Sequence, residues 1–572
     1  MNFINNNLFI KVFIAVLLFA CIETKATTQP TDEQTFKIGN LSVMASAQTI
    51  SVKVEDKIIF EFPANIAVDK DGASDVDLFE PAFRKGKNSC VWTVQSSNWE
   101  KKEYSLSTEG TAVVLRVKVK GKGKLGKLRY FAENKKRNQK LAYEVSRFLA
   151  PVALAGADAM PQWHNTKERF SIELGYMTPP LLAFSFVGNF NGSCAVGLAP
   201  RPSAYNLDYF GCEFPSFQDG LFTTDFYGYT EVNDEYELPA LTFTLGNNEF
   251  EALAAHSEWL YQFGGCRKID RSNIPRWWKG PFFCGWGEQG YLSPNNIYAG
   301  ANQKNYMTMS QRLDDLGLQP TVIIIDDKWQ DLYGELLPDT KKWPDLRAFV
   351  DAEHAKGRRV LLWLKAWNNE GLRAEECVIN FYIPYGADPT SPVYRQRIAK
   401  TMHRLLSSDP GCFNCDGFKI DFANCMPLGK NLKTYERGVY GIELLKRMIS
   451  LLYESAKAAK PDCLINTSCA HPYFAEVTDQ SRLHDYGGQF LWEVREFRSK
   501  LFHAALPGIS IDTDDESSTS IEQTLDYLRR APALGVPVLY HLHGSKKLPL
   551  TDDNFKEIAK IWKEYSRKLD QK

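Results

Sequence analysis

The chain lacks any long apolar run. Its longest near the start, 12–20 (VFIAVLLFA), has nine residues, about half of what a bilayer-spanning helix needs. It also lacks net charge: 68 basic residues meet 69 acidic ones, for a formal charge of −1. That balance argues against bulk binding to nucleic acid or an anionic membrane. The 12 Cys are scattered over 572 residues, so a disulfide scaffold is excluded. Cys412 and Cys415 form a lone CxxC with no second pair, which suits a local disulfide or two buried thiols better than zinc. No HExxH occurs among the nine His, and no Ser-His-Asp set, internal repeat or low-complexity segment stands out. The expectation is a chemistry with neither metal nor cofactor.

What is present begins with a leader. Lys11 precedes the apolar run, as in a signal peptide. Leu18-Phe19-Ala20-Cys21 resembles a bacterial lipobox, which would lipidate Cys21 and anchor the protein to a membrane; cleavage after Ala26 is the alternative. Residues 1–26 are therefore read as a signal and the mature protein as exported, whether periplasmic, on the outer surface or secreted.

From about 36 to 250 the apolar pattern has period two. Ile50, Val52 and Val54 alternate with Ser51, Lys53 and Glu55, and Leu115, Val117 and Val119 with Arg116, Lys118 and Lys120. Such alternation marks strands with one buried face. An antiparallel β-sandwich domain is expected over 27–275, with a linking helix near 248–264.

After about 276 short apolar runs alternate with longer helical patterns. Eight strands are expected at 281–286, 321–327, 359–365, 416–422, 462–468, 475–479, 508–513 and 536–541, with helices at 436–460 and 552–569. Eight such units in roughly 290 residues match a closed (β/α)8 TIM barrel over 276–572. The fold class expected is thus α/β plus all-β.

Barrel active sites lie at the C-terminal strand ends. Those ends carry Trp286, Asp326 and Asp327, Trp363 and Lys365, Lys419 and Asp421, Asp479, Asp512 and Asp514, and His541 and His543. Converging carboxylates with indoles and a lysine suit glycoside cleavage, in which one acid attacks and another protonates the leaving oxygen. In strand 4 Lys419 and Asp421 face the same way, which would keep Asp421 ionised. Asp512 and Asp514 read as caps of the following helix. His541 and His543 are left open between substrate and core, and Trp277, Trp278 and Trp492 read as packing.

Here the residues reach a resemblance. VIIIDDKWQ (322–330) resembles the Asp-Asp-x-Trp motif of the α-galactosidase clan, glycoside hydrolase families 27, 31 and 36. DGFKIDF (416–422) resembles its Lys-x-Asp motif, and TDQS (478–481) its acid/base segment. WLKAWNNEG (363–371) and DPTSPVYR (388–395) have similar-looking counterparts in family 36, as does a preceding β-sandwich. The resemblance implies a retaining, exo-acting hydrolase of terminal α-linked sugars, α-galactosides first, acting on an oligosaccharide or glycoside. It implies Asp421 as nucleophile and Asp479 as general acid/base, with Asp485 the alternative acid. It also implies substrate contacts from Asp326, Asp327 and Lys419, and a pocket walled by Trp329; Arg482 is a further substrate-binding candidate. Trp286, Trp363 and Lys365 join these as substrate-binding candidates. Lys328 departs from the glycine common after Asp-Asp, and 466–474 lacks a glycine-rich stretch. An α-glucosidase, α-xylosidase or transglycosylase on the same fold is the second reading. A non-catalytic carbohydrate-binding surface protein is the third.

Overall fold

The computed structural model describes residues 33–571, apart from 133–141, 144, 151–161, 166–169, 174–181, 201–204, 208, 213–221, 424, 430, 487 and 545–547. The leader expected over 1–26, with Cys21, lies outside the described residues.

The N-terminal part is antiparallel β-structure. Its largest sheet has nine strands, with Glu235–Gly246 hydrogen-bonded between Ser193–Ala199 and Ala112–Lys120. A five-stranded and a six-stranded sheet complete it. The period-two reading holds: Ile50, Val52, Val54, Leu115, Val117 and Val119 are all buried. Arg116, between them, stays half-buried and pairs with Glu109 at 2.7 Å. The inner faces meet in a phenylalanine core, where Phe62 stacks on Phe131 at 4.2 Å and Phe60 meets Phe186 edge-on at 4.9 Å.

The linking helix runs Glu249–Gln262 and is capped by Asn248, whose side chain accepts from the amides of Phe250 and Glu251. Its residue Leu253 shares one apolar layer with Ala183 and Ala195 of the sheets and with Phe497 and Leu501 of a barrel helix, Leu491–Ala505. Sandwich and barrel are therefore packed through this helix.

The barrel strands are Phe282–Cys284, Val322–Ile325, Arg359–Lys365, Gly417–Asp421, Leu464–Thr467, Gln480–Arg482, Ser510–Asp512 and Val538–Leu539, hereafter strands 1 to 8. They form one parallel sheet in the order 7-6-5-4-3-2-1-8, and a parallel bridge between Asp512 and Val536 brings the two edges together. The helices Gly441–Ala459 and Asp552–Leu569 fall where the apolar spacing places them. Gly417 opens strand 4 at φ +147°, and a Cβ there would stand 2.0 Å from the Leu464 carbonyl oxygen. Only glycine lets strand 4 lie this close to strand 5.

One strand departs from expectation. The segment read as strand 6, 475–479, is occupied by a 3-10 turn, Pro472–Val477, and strand 6 is Gln480–Arg482 instead. Pro472 and the aromatic pair Tyr473-Phe474 favour the turn, and the true strand has three polar residues with no apolar alternation to reveal it.

Candidate active site

The shift of strand 6 moves the site. Asp479 lies before strand 6, not at its C-terminal end. Its Oδ2 accepts from the Ile465 amide at 2.9 Å and pairs with Lys457 at 2.8 Å, and its Oδ1 accepts from Tyr453 at 3.1 Å. It borders a recess of about 530 Å³ with Trp278, Tyr453, Lys457 and Pro461, on the N-terminal face of the barrel. The expectation that Asp479 faces the mouth is overturned.

The C-terminal end of strand 6 delivers Arg482 and, three residues on, Asp485. Arg482 is fully buried, and its Nη2 donates to Asp421 Oδ1 at 2.9 Å. Its Nη1 reaches Asp514 Oδ2 at 3.2 Å and Asp485 Oδ1 at 3.4 Å. One guanidinium thus touches acids from the ends of strands 4, 6 and 7. Asp421 also accepts from the Trp363 indole at 3.1 Å and from the Phe422 amide at 2.9 Å. Burial works to raise its carboxyl, but Arg482, then His484 and Lys419, hold it well below the usual carboxylate range.

Asp485 behaves oppositely. Its side chain is 55% exposed by area, yet it stands in the crowded mouth beside two other acids. Loss of solvent, then the charges of Asp514 and Asp421, outweigh Arg482 and push its carboxyl up to about 7. The mouth therefore holds one acid whose carboxyl is lowered by Arg482 and one whose carboxyl is raised.

Beneath them lies a buried ion pair. Lys419 donates to Asp326 Oδ2 at 2.8 Å and to Tyr540 Oη at 3.1 Å, and the Cys284 thiol also donates to Asp326 at 2.9 Å. Burial alone would lower the Lys419 ammonium, but Asp326 holds it well above its ordinary value. Lys419 is saturated by protein groups, so it braces the floor of the site. Asp327 accepts from Tyr333 at 2.7 Å, and burial, against that bond, pushes it up to about 6. Lys365 is half-buried, its ammonium 5.0 Å from the Tyr333 ring and 4.9 Å from the Phe422 ring.

Other expectations divide. Trp329 is fully buried and donates to the Trp363 carbonyl at 2.7 Å, so it supports Trp363 from behind and does not wall the pocket. Trp286 is half-buried, 6.0 Å from the Tyr298 ring, and borders a recess of about 320 Å³ with Tyr291, Asp515 and His541. Asp512 and Asp514 do not cap the next helix, Ile521–Arg530, which is capped by Ser520. Asp514 instead pairs with Arg482 and accepts from Tyr540, while Asp512 accepts from Asn466 at 2.6 Å and burial pushes it up to about 6. His541 pairs with Glu516 at 2.8 Å and His543 with Glu288 at 2.6 Å. Among the described residues, Asp515, Glu516 and His541 bring three possible ligand atoms within 4.8 Å of one another. Cys412 and Cys415 are both free, buried thiols. Lys328 takes φ +72°, in the left-handed region that favours glycine.

Reading strand ends from sequence missed Tyr333 and Tyr540, which hold Asp327 and Asp514. No motif marks them; they reach the site from a loop and from the residue just after strand 8.

No family model and no curated protein matches the sequence. Solved structures do. A family 31 sulfoquinovosidase from E. rectale, bound to an aza-sugar inhibitor, is 11% identical at a TM-score of 0.58, covering 92% of this chain and 82% of that one. A family 36 α-galactosidase from Geobacillus stearothermophilus is 10% identical at 0.54, over 94% and 86%. A family 31 α-xylosidase from a soil metagenome is 12% identical at 0.50, over 95% and 85%. The chain therefore has the fold that glycoside hydrolases of families 31 and 36 share.

Proposed function

We propose that this protein is a retaining, exo-acting glycoside hydrolase that cleaves terminal α-linked sugars. Asp421 is the nucleophile and Asp485 the general acid/base. The observation that carries the reading is the placement of these two acids on the two terminal nitrogens of one buried guanidinium at the barrel mouth, Asp421 at 2.9 Å and Asp485 at 3.4 Å. Retaining cleavage needs an anion to attack the anomeric carbon and a proton for the departing oxygen. Asp421 supplies the first and Asp485 the second. After the glycosyl–enzyme ester forms, deprotonated Asp485 takes a proton from water, which then releases the sugar. Asp327, Lys365 and Trp363 border the position the sugar ring would take, with Asp326 and Lys419 fixed below.

α-Galactosides are the substrates to test first, then α-glucosides and α-xylosides. Purified protein should release p-nitrophenol from one of these aryl α-glycosides. Absence of turnover across the whole panel would overturn the hydrolase. Export belongs to the same proposal: N-terminal peptides from the native host should begin at Cys21 or after Ala26, and an intact Met1 would refute it.

A further inference from the structure

A hairpin, Cys377–Asn380 with Ile383–Ala387, rises from the mouth between strands 3 and 4, and Leu432–Lys433 adds a third strand. Its root is tied to the nucleophile's own loop. The Ala387 amide donates to the Trp367 carbonyl at 3.0 Å, and the Trp367 indole donates to the Ala423 carbonyl at 2.6 Å, two residues beyond Asp421. Asn369 donates to the Pro384 carbonyl at 3.2 Å. Gly386 lies against Pro427 and Trp367, where a Cβ would come within 3.0 Å of Pro427. The face carrying Pro384 and Gly386 is therefore pressed onto the mouth loops.

The opposite face is bare. Ile383, and Tyr385 where the register shifts between Pro384 and Gly386, are 70% and 54% exposed; Phe381 and Tyr382 at the tip are 61% and 88% exposed, and nearby Tyr435 is 69% exposed. Apolar groups gathered like this mark a binding surface. The tip adds a second sign. Phe381 takes φ +55° in a two-residue turn, a place where Asn or Gly is usual. A bulky ring there costs on the order of 1–2 kcal/mol, so the fold holds this aromatic against local preference.

The occupant follows from chemistry and position. Three of the five side chains are tyrosines, flat rings with a hydroxyl edge, and the Lys433 ammonium stands 5.5 Å from the Tyr382 ring. Pyranose rings offer matching apolar C–H faces and polar rims. A glycan whose terminal sugar reaches Asp421 must leave through this mouth. We infer that the hairpin is a platform for the leaving-group portion of the substrate. The substrate then carries several sugars beyond the cleaved bond, stacked on Tyr382, Tyr385 and Tyr435. This rests on the hydrolase reading above.

The test compares wild type with a Tyr382→Ser, Tyr385→Ser, Tyr435→Ser variant of unchanged melting temperature. On the aryl α-glycoside that wild type cleaves, kcat/KM should stay within about twofold. On stachyose or isomaltotriose, whichever is cleaved, it should fall about tenfold or more, through KM. Equal losses on both substrates, or no loss on either, overturn the platform. Affinity electrophoresis of Asp421→Asn protein in galactomannan or dextran separates the two readings. Retardation that vanishes with the three serines supports the platform even where wild type hydrolyses nothing. Absence of retardation in both gels, together with unchanged oligosaccharide kinetics, refutes it. Wild-type dimers that separate in the variant, or flotation with anionic vesicles that the variant loses, each with retardation unchanged, would assign the face to a second copy or a lipid surface and overturn the proposal.

Discussion

Arg482 lies within 3.4 Å of Asp485 by one nitrogen, while its other terminal nitrogen, 2.9 Å from Asp421, holds that acid ionised. Because Arg482 is buried, its charge is little screened and neither nitrogen can swing away into water. The two acids are thereby set on the two terminal nitrogens of one planar group; Arg482 favours the ionised form of both, and only at Asp485 do loss of solvent and the neighbouring acids outweigh it.

The first prediction concerns Asp421. Asp421→Ala should stay folded, since Arg482 keeps Asp514 as a partner, while kcat/KM falls on the order of 10³-fold or more. Azide should restore turnover and yield a β-glycosyl azide. With wild type, NMR should show the α-anomer of the released sugar first; an initial β-anomer rules out a nucleophile at this position.

A second concerns Asp485. Its acid form is the active one, so activity should decline as pH rises through about 7. Asp485→Ala should slow substrates with poor leaving groups by roughly 10²–10⁴-fold and spare activated aryl glycosides. An unchanged alkaline limb in the variant assigns the acid elsewhere.

Asp479 supplies a control. Asp479→Asn removes a buried charge that serves Lys457 and the Ile465 amide, so stability should drop by about 1–3 kcal/mol. Its kcat on aryl glycosides should remain within about threefold of wild type. A loss of activity as large as that of Asp485→Ala would return Asp479 to the chemistry.

Stability should also track pH. Asp327 and Asp512 are pushed up to about 6 by burial, above the roughly 3.9 of an unfolded Asp. The folded state therefore holds these protons more tightly. That contribution is complete below about pH 4 and disappears as pH rises through about 6. Asp421 and Asp514 are depressed, so their contribution is lost only in stronger acid. The buried imidazoles of His256, His471 and His484, lowered to about 3, act in the opposite sense over this range, so the test is a difference: the melting temperature of wild type relative to Asp512→Asn should fall from pH 4.5 to 7.5. A variant slope as steep as wild type contradicts this assignment.

The sequence by itself determined the elements whose residues face apolar surroundings on a regular period. The alternation around Ile50 and Leu115, the helix Gly441–Ala459 and the apolar strands 2 to 5 are local patterns. So is the shared face of Lys419 and Asp421, because a two-residue repeat needs no partner to be read. Strand 6 had no such signature. Gln480 and Arg482 are buried polar residues, held there by partners from elsewhere in the barrel: Asn466 and the Trp278 carbonyl for Gln480, and Asp421 and Asp514 for Arg482. Those partners lie between 14 and 202 residues away in the chain. Only closure of the barrel brings them together. It is this closure that left Asp479 before strand 6, set Asp485 beside Arg482 at the mouth, and put Trp329 behind Trp363.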